Sequence, residues 1–585
     1  MSASAPWSDL ERSITATTTP AIPDPDKSDG EEHEAKKKPS QSQLLVELAI
    51  GFATFWHLPD GEPFATVEVD GHHEHYPVRS RVFKLALRQR FYDRYGKAPA
   101  SQPVTDALGV LEGEALFRGE CHPVAVRVAE HDGNIYIDLG GPDWSAVEIT
   151  PTGWRVVADP PVRFRRARGM TALPVPVTGG SIELLRPFVA GGADNLVLVV
   201  GWLVQALRPD GPYIVLIFLG EQGSGKSFLA RLVRSLIDPN TVALRSLPRE
   251  DRDLAISANN GFAIALDNIS GLSAWVSDAV CRLATGGGFA TRELYSDSEE
   301  VLFAASRPVI LNGIEDVASR PDLIDRAVIV TLPAIDDAFR RDERDLLAAF
   351  EAVAPQILGG LLDAVVMALR NRGTVKVDRL PRMADACLWV VGAEAALPWV
   401  PGSFLKAYAG NRRDAVEVAV EADVVAVMVR RMMENISSWT GTAGDLLSTL
   451  EKTFSDSYRP KDWPGTARAL VGRLLRLAPA LRAVGIEVSR KRREAHTGRR
   501  FLLIEKRDGL SPSPSSPPSP DPGNPLHDEQ LAAVTMGDDP GGDRGSVPDT
   551  VTRTVTRKRN NDGHGDEGDD GDDRKPTSSH RRVEV

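Results

Sequence analysis

The residues best suited to chemistry are Gly220-Glu221-Gln222-Gly223-Ser224-Gly225-Lys226-Ser227, spaced as G-x-x-x-x-G-K-S. Glycines at these places let backbone N–H groups turn inward around a phosphate chain, and a helix starting at Lys226 adds partial positive charge. Lys226 would reach the β and γ phosphates, and the Ser227 hydroxyl suits a hard cation that prefers oxygen ligands. The octet reads as a phosphate-binding loop for ATP with Mg²⁺.

Such a loop works only between a buried strand and a helix, and the flanks supply both. Tyr213-Ile-Val-Leu-Ile-Phe-Leu219 is a continuous apolar, β-prone run, and Leu229, Leu232, Val233 and Leu236 fall on one helical face. About forty residues later, Gly261-Phe-Ala-Ile-Ala-Leu-Asp267-Asn268 is a second apolar strand ending in an acid. Asp267 at its carboxyl end is placed to reach Mg²⁺ beside the loop, directly or through water.

At 585 residues the chain is too long for one core, and a prior of about one domain per 150 residues gives three or four folded units. Residues 1–43 and 508–585 read as disordered: the first is rich in Ser, Pro, Thr and charge, and the second has the Ser/Pro block 511–520 and the acidic run 566–573. The formal net charge is −12, of which the last 78 residues carry about −7, so the folded part is only mildly acidic. Local clusters of Arg and Lys, rather than the total, then decide whether a polyanion binds. Cys121, Cys281 and Cys387 lie far apart, a spacing that speaks against structural zinc and a disulfide framework. No stretch approaches the roughly 18 unbroken apolar residues of a membrane span, and the reading is a soluble cytoplasmic protein.

Residues 44–170 read as an α+β domain: a helix over 42–56, strands at 64–70, 124–128, 134–138 and 153–157, and helices at 79–95 and 103–117. His72, His73 and His75 follow the turn signal Asp70-Gly71, where polar residues are expected without a metal. The run Arg163-Phe-Arg-Arg-Ala-Arg168 is equally a phosphate contact or a solvated edge. A helical linker is expected over 171–208 and the nucleotide core over 209–335.

Further on come Cys281-Arg282-Leu-Ala-Thr-Gly286-Gly-Gly288-Phe-Ala-Thr-Arg292-Glu-Leu-Tyr295, the strand Pro308-Val-Ile-Leu-Asn312, and Asp322-Leu-Ile-Asp325-Arg326-Ala-Val-Ile-Val-Thr-Leu332. This order resembles the ATPase core of superfamily III helicases of the phage, plasmid and poxvirus primase-helicase type. It is closer still to the ATP-binding proteins of bacterial phages and integrated elements. The resemblance is most specific over 210–335. It implies that Asn312 senses the γ-phosphate and that Arg326, with Arg320 as second candidate, is an arginine finger acting in a neighbouring subunit. It also implies a DNA-contacting hairpin over 286–295, with Arg282 and Arg292 at basic positions. Asn268 stands where the family often has an acid, which leaves Glu299, Glu300 or Asp267 as base.

After Pro333 the pattern is helical (336–354, 355–370, 381–396, 415–436), resembling a lid or collar over 336–437. Residues 438–507 look like a winged helix, with Arg490, Lys491, Arg492, Arg493, Arg499 and Arg500 crowded on one hairpin that could follow a phosphate backbone. The expectation is a multidomain α/β protein: an N-terminal α+β domain, a central P-loop NTPase core, a helical segment, a winged helix and disordered ends. Its leading function is a nucleic-acid-dependent ATPase motor on single-stranded or forked DNA, with a homo-oligomeric, by resemblance hexameric, ring. Replication partners would bind through the N-terminal domain or tail. The alternatives are a slow ATP-dependent switch, which Asn268 favours, and a role in priming.

Overall fold

The computed structural model describes residues 39–287, 289–292, 300–303, 306–313, 320–452, 462–490 and 500–507. The expected disordered ends fall almost wholly outside these. Where they overlap, the structure corrects the boundary: Ser40 caps helix α1 (Gln41–Ile50) by accepting from the Gln43 N–H at 3.2 Å.

An N-terminal module follows, in which strands β1 (Ala53–His57), β2 (Pro63–Val69) and β3 (His72–Pro77) form an antiparallel meander. Helices α2 (Arg81–Tyr95) and α3 (Ser101–Phe117) cover it, and Leu45, Phe83, Leu87, Phe91 and Leu111 fill its core. Helix α2 starts at residue 81 because Ser80 accepts from the Phe83 N–H at 3.2 Å. The three histidines lie on β3 beyond the turn. They go to separate partners: His72 to Glu74 at 3.2 Å, His73 to Asp159 at 3.0 Å and His75 to Thr66 at 2.9 Å.

A second meander comprises β4 (Val128–His131), β5 (Asn134–Asp138), β6 (Ala146–Thr150) and β7 (Gly153–Val157). The strand expected over 124–128 is not formed; Ala125 makes only an isolated bridge to Phe164. Three arginines of the 163–168 run turn inward. Arg163 lies over the Trp56 ring, Arg165 donates to Asn259 at 2.7 Å, and Arg166 pairs with Asp138 at 2.6 Å. The phosphate-contact reading of that run therefore loses most of its cations to packing.

The linker over 171–208 is helical only in part: a 3₁₀ turn at Ile182–Phe188, then α4 (Ala193–Ala206), of which eleven residues are buried. Next come β8 (Val215–Leu219), α5 (Lys226–Ser235), α6 (Asp251–Asn259), β9 (Ile264–Ile269) and α7 (Ala274–Thr285). The small antiparallel pair β10 (Phe289–Arg292) and β11 (Glu300–Phe303) precedes β12 (Val309–Gly313), α8 (Pro321–Ile324) and β13 (Ala327–Thr331). Four of these strands make a parallel sheet in the order β13-β8-β12-β9. Both faces are covered, which is why Val215–Leu219 is apolar without alternation. Arg245 extends the β9 edge as a parallel bridge to Leu266, and its carbonyl accepts the Asp267 N–H at 2.8 Å.

One helix, α9 (Glu343–Arg370), replaces the two expected either side of residue 355. Pro355 is accommodated inside it and uses its carbonyl to accept from Val177 at 3.1 Å. Gly359 lets that segment close in, since a Cβ there would lie 1.9 Å from the Val177 carbonyl oxygen. By length and composition α9 could cross a membrane, which the sequence reading did not anticipate, yet 67% of its apolar window is buried in the protein.

Helices α10 (Ala384–Ala393), α11 (Ser403–Ala422) and α12 (Val424–Glu434) follow; the helix expected over 415–436 breaks at Asp423, which caps α12 by accepting from the Val425 N–H at 2.8 Å. The C-terminal part has β14 (Ser438–Thr442), α13 (Ala443–Glu451), α14 (Ala467–Ala483), β15 (Ile486–Arg490) and β16 (Phe501–Lys506). Its sheet has three strands, β14-β16-β15, where the sequence showed two. Together these make a multidomain α/β protein with several sheets.

Candidate functional site

The glycine-rich octet forms the turn from β8 into α5. Gly223 and Gly225 sit at φ +84° and +80°, a left-handed backbone that side-chain-bearing residues resist. Alternating backbone hand of this kind makes a concave nest of N–H groups suited to an anion.

Three side chains converge beside the turn. Ser227 donates to Asp267 Oδ1 at 3.1 Å, and Asn312 Nδ2 donates to Ser227 Oγ at 2.9 Å and also to Asp267 Oδ1. The fold explains the meeting: β8, β12 and β9 are adjacent and parallel, so their carboxyl ends open on one edge. Asn312 is 1% exposed, and its Oδ1 accepts no hydrogen bond among the described residues. A buried amide oxygen without a donor is a natural seat for a water or an incoming group.

Lys226 is turned onto its own loop, donating to the Gly220 carbonyl at 2.7 Å and the Glu221 carbonyl at 2.6 Å. Burial lowers its pKa from the ordinary lysine value, opposed by the charge of Asp267. Asn268 occupies φ +57°, which asparagine tolerates, and its N–H donates to Asp267 Oδ1 at 2.8 Å. Of the alternative bases, Glu299 lies outside the described residues and Glu300 is placed by backbone alone, on β11.

Arg326 lies at the far end of the sheet. It precedes Ala327, which pairs with Val215 at the start of β8, whereas Leu219 leads into the turn. A five-residue strand separates the two ends by roughly 15 Å. Arg326 donates to the Asp322 carbonyl at 2.7 Å and, among the described residues, makes no ion pair with the Asp322 or Asp325 carboxylate. Asp322 faces Arg320 at 3.5 Å, and Asp325 is held by Arg382 at 3.1 Å and by Arg412. Arg320 is further held by Asp278 at 3.1 Å.

Sequence reading missed the strap after β13. The Leu332 carbonyl closes over Gly220, Ile335 lies over Gly225, and the Arg340 guanidinium comes within 3.5 Å of the Cβ position of Gly223. Arg340 is 60% exposed and ion-paired only to Asp337 among the described residues. Nothing in its local sequence distinguishes it from its neighbour Arg341.

Of the residues expected to touch DNA, Arg282 pairs with Asp251 at 3.2 Å. Arg292 is on β10, in the hairpin that β11 completes. Arg490 and Arg500 are exposed near the β15–β16 hairpin, while Lys491, Arg492, Arg493 and Arg499 lie outside the described residues.

Residues 182–417 match the family described as actinomycete integrative conjugative element replication protein, and residues 425–518 match the C-terminal domain of the same replication protein. Together they span more than half of the chain. It belongs with the replication proteins of mobile elements. Every residue of the convergent site lies within the first match. No curated protein matches the chain. Among solved structures, the apo C-terminal region of NrS-1 aligns over 80% of this chain and 100% of its own at 12% identity, with a TM-score of 0.35. A second A-form apo structure of that region aligns over 79% of this chain and 98% of its own at 14% identity, with a TM-score of 0.34. These low scores carry no argument about this replication protein.

Proposed function

We propose that the chain is an ATP-hydrolysing motor that acts on DNA during replication of a mobile element. The observation that carries this is the meeting of Ser227, Asp267 and Asn312 beside the Gly220–Ser227 turn. In this reading the turn is a P-loop. Ser227 Oγ and Asp267 Oδ1 supply the hard oxygen donors that Mg²⁺ prefers, and bound Mg²⁺ would neutralise phosphate charge. Lys226 would exchange its loop carbonyls for phosphate oxygens. Asn312, with its unsatisfied Oδ1, would orient the attacking water.

The location of Arg326 favours action between subunits, because it cannot reach the turn of its own chain. A rigid guanidinium arriving from a neighbour would stabilise charge in the transition state. That would make the working form an oligomer, with a ring the family expectation. The exposed Arg490 and Arg500 fit a winged-helix hairpin along phosphates, a contact that gives affinity without sequence choice.

Asn268 favours a second reading. With an amide where an acid would stand, hydrolysis would be slow and the protein a nucleotide-gated switch. The deciding experiment is the ATPase rate with and without single-stranded DNA over a range of protein concentrations. A rate that rises with both supports the motor; a slow rate indifferent to both overturns it in favour of the switch.

A further inference from the structure

Residues 41–117 contain seven Lys and Arg, and all seven fall between Arg79 and Lys97; the ten acids are spread over the whole module. Helix α2 carries five of these cations, and the structure sorts them by face. Phe83, Leu87 and Phe91 are fully buried. At 3.6 residues per turn, Arg81, Leu85, Arg88 and Tyr92 form one stripe on the opposite side, with Lys84 at its flank. All four stripe residues are exposed, Leu85 and Tyr92 at 53% each. Among the described residues Arg81, Lys84, Arg88 and Lys97 make no ion pair. By contrast Arg79 is held by Glu112, and Arg90 lies over the Phe52 ring at 4.0 Å.

We infer that the exposed face of α2 is a double-stranded DNA-binding surface, separate from the nucleotide site and from the C-terminal hairpin. Unpaired guanidinium groups alternating with an exposed leucine and tyrosine match a helix laid in a groove. The cations meet phosphates on the walls, and the apolar side chains meet base edges and sugars. The stripe spans about 16 Å, close to half a turn of duplex. Segregation of cations within an otherwise acidic module is the footprint of a polyanion rather than of general solubility. The helix precedes both matched regions, so neither match assigns it a role. The assignment takes the polyanion to be DNA from the replication reading and rests on none of the nucleotide chemistry.

The test uses the full chain, without nucleotide, and a fluorescent 30-base-pair duplex titrated at several KCl concentrations. Arg81→Gln, Lys84→Gln and Arg88→Gln combined should weaken binding at least tenfold at low salt. They should also reduce the slope of log affinity against log salt by about 2 to 3, since each lost phosphate contact removes about 0.9. Tyr92→Ala should weaken binding several-fold and leave the slope alone, a split that a merely folded-state role would not produce. Equal unfolding midpoints of wild type and variants establish that the fold is kept. If the triple variant binds with unchanged affinity and slope, the assignment is overturned. It is likewise overturned if poly-glutamate competes as well as unlabelled duplex of equal charge, which would mark the face as a seat for an acidic polypeptide. Because no nucleotide is present, failure of the ATPase reading would leave this result standing.

Discussion

The glycine-rich turn and the outer face of α2 both present cations, in opposite states of satisfaction. Lys226 is tied to two carbonyls of its own loop, while Arg81, Lys84 and Arg88 make no ion pair among the described residues. The contrast separates two proposed ways of receiving phosphate. At the turn, a bound phosphate would replace internal hydrogen bonds, so affinity would depend on geometry. At α2, a bound polyanion would release counterions, so affinity would depend on salt. The proposed nucleotide site and the proposed polymer site are thus to be told apart by ionic strength.

The strongest way to break the comparison is Lys226→Ala, for which turnover should fall at least about a thousandfold at any salt. A loss that high salt reproduced in wild type would make the turn another screened surface. Arg326→Ala should lower turnover by about a hundredfold or more, within the range of trans-acting arginines. Mixing it with Lys226→Ala chains should restore part of the rate, because each then supplies what the other lacks. No restoration would mean that Arg326 acts within its own chain.

A third measurement concerns the ground on which α2 is mounted. Burial and the neighbouring Arg163 push His75 down to about 3, so the folded state resists its protonation. Above pH 6.5 this costs nothing. As pH falls from there toward 3 the unfolded chain gains a proton that the folded chain refuses, and stability is lost. By pH 5 the loss is about 2 kcal/mol at most. His75→Gln should remove that part of the acid sensitivity of the unfolding midpoint; an unchanged pH profile would show that another group controls it. The smallest effect should come from Arg490→Gln with Arg500→Gln, a few-fold loss of single-stranded DNA affinity. A loss larger than that of the α2 variant on duplex would shift the main polymer contact to the hairpin.

These regions also differ in how far their sequence announces them. The turn was legible because the function proposed for it needs fixed residue types at fixed spacing: three glycines, Lys226 and Ser227 fall within one octet, and Asp267 ends an apolar run. Asn312 was found only through resemblance, since a polar residue closing a strand is common. Arg340 was illegible, because its nearness to Gly223 depends on the path of the chain after β13. The helix bearing the stripe was found by its apolar period, but its outward face gained meaning only once nine of the module's ten acids proved to lie off α2, Asp93 being the exception beside the stripe. The strands β1, β3, β6 and β14 were missed for a related reason, and β1 (Ala53–His57) overturns the end of the helix expected over 42–56, which stops at Ile50. They are short strands that cross-strand partners rather than their own composition make into strands.

Asp238, just past the end of α5, is 2% exposed and has three claims on it. The N–H groups of Phe262 and Ala263, entering β9, donate to one oxygen, and Arg127 of the β4–β7 meander meets the other at 3.1 Å. The apolar cluster beneath runs without a break from Ile135 and Ile149 through α4 to α9. The family match and the folded core therefore have different edges. The match opens at residue 182, but a chain trimmed to that point would leave the Asp238 carboxylate without its guanidinium.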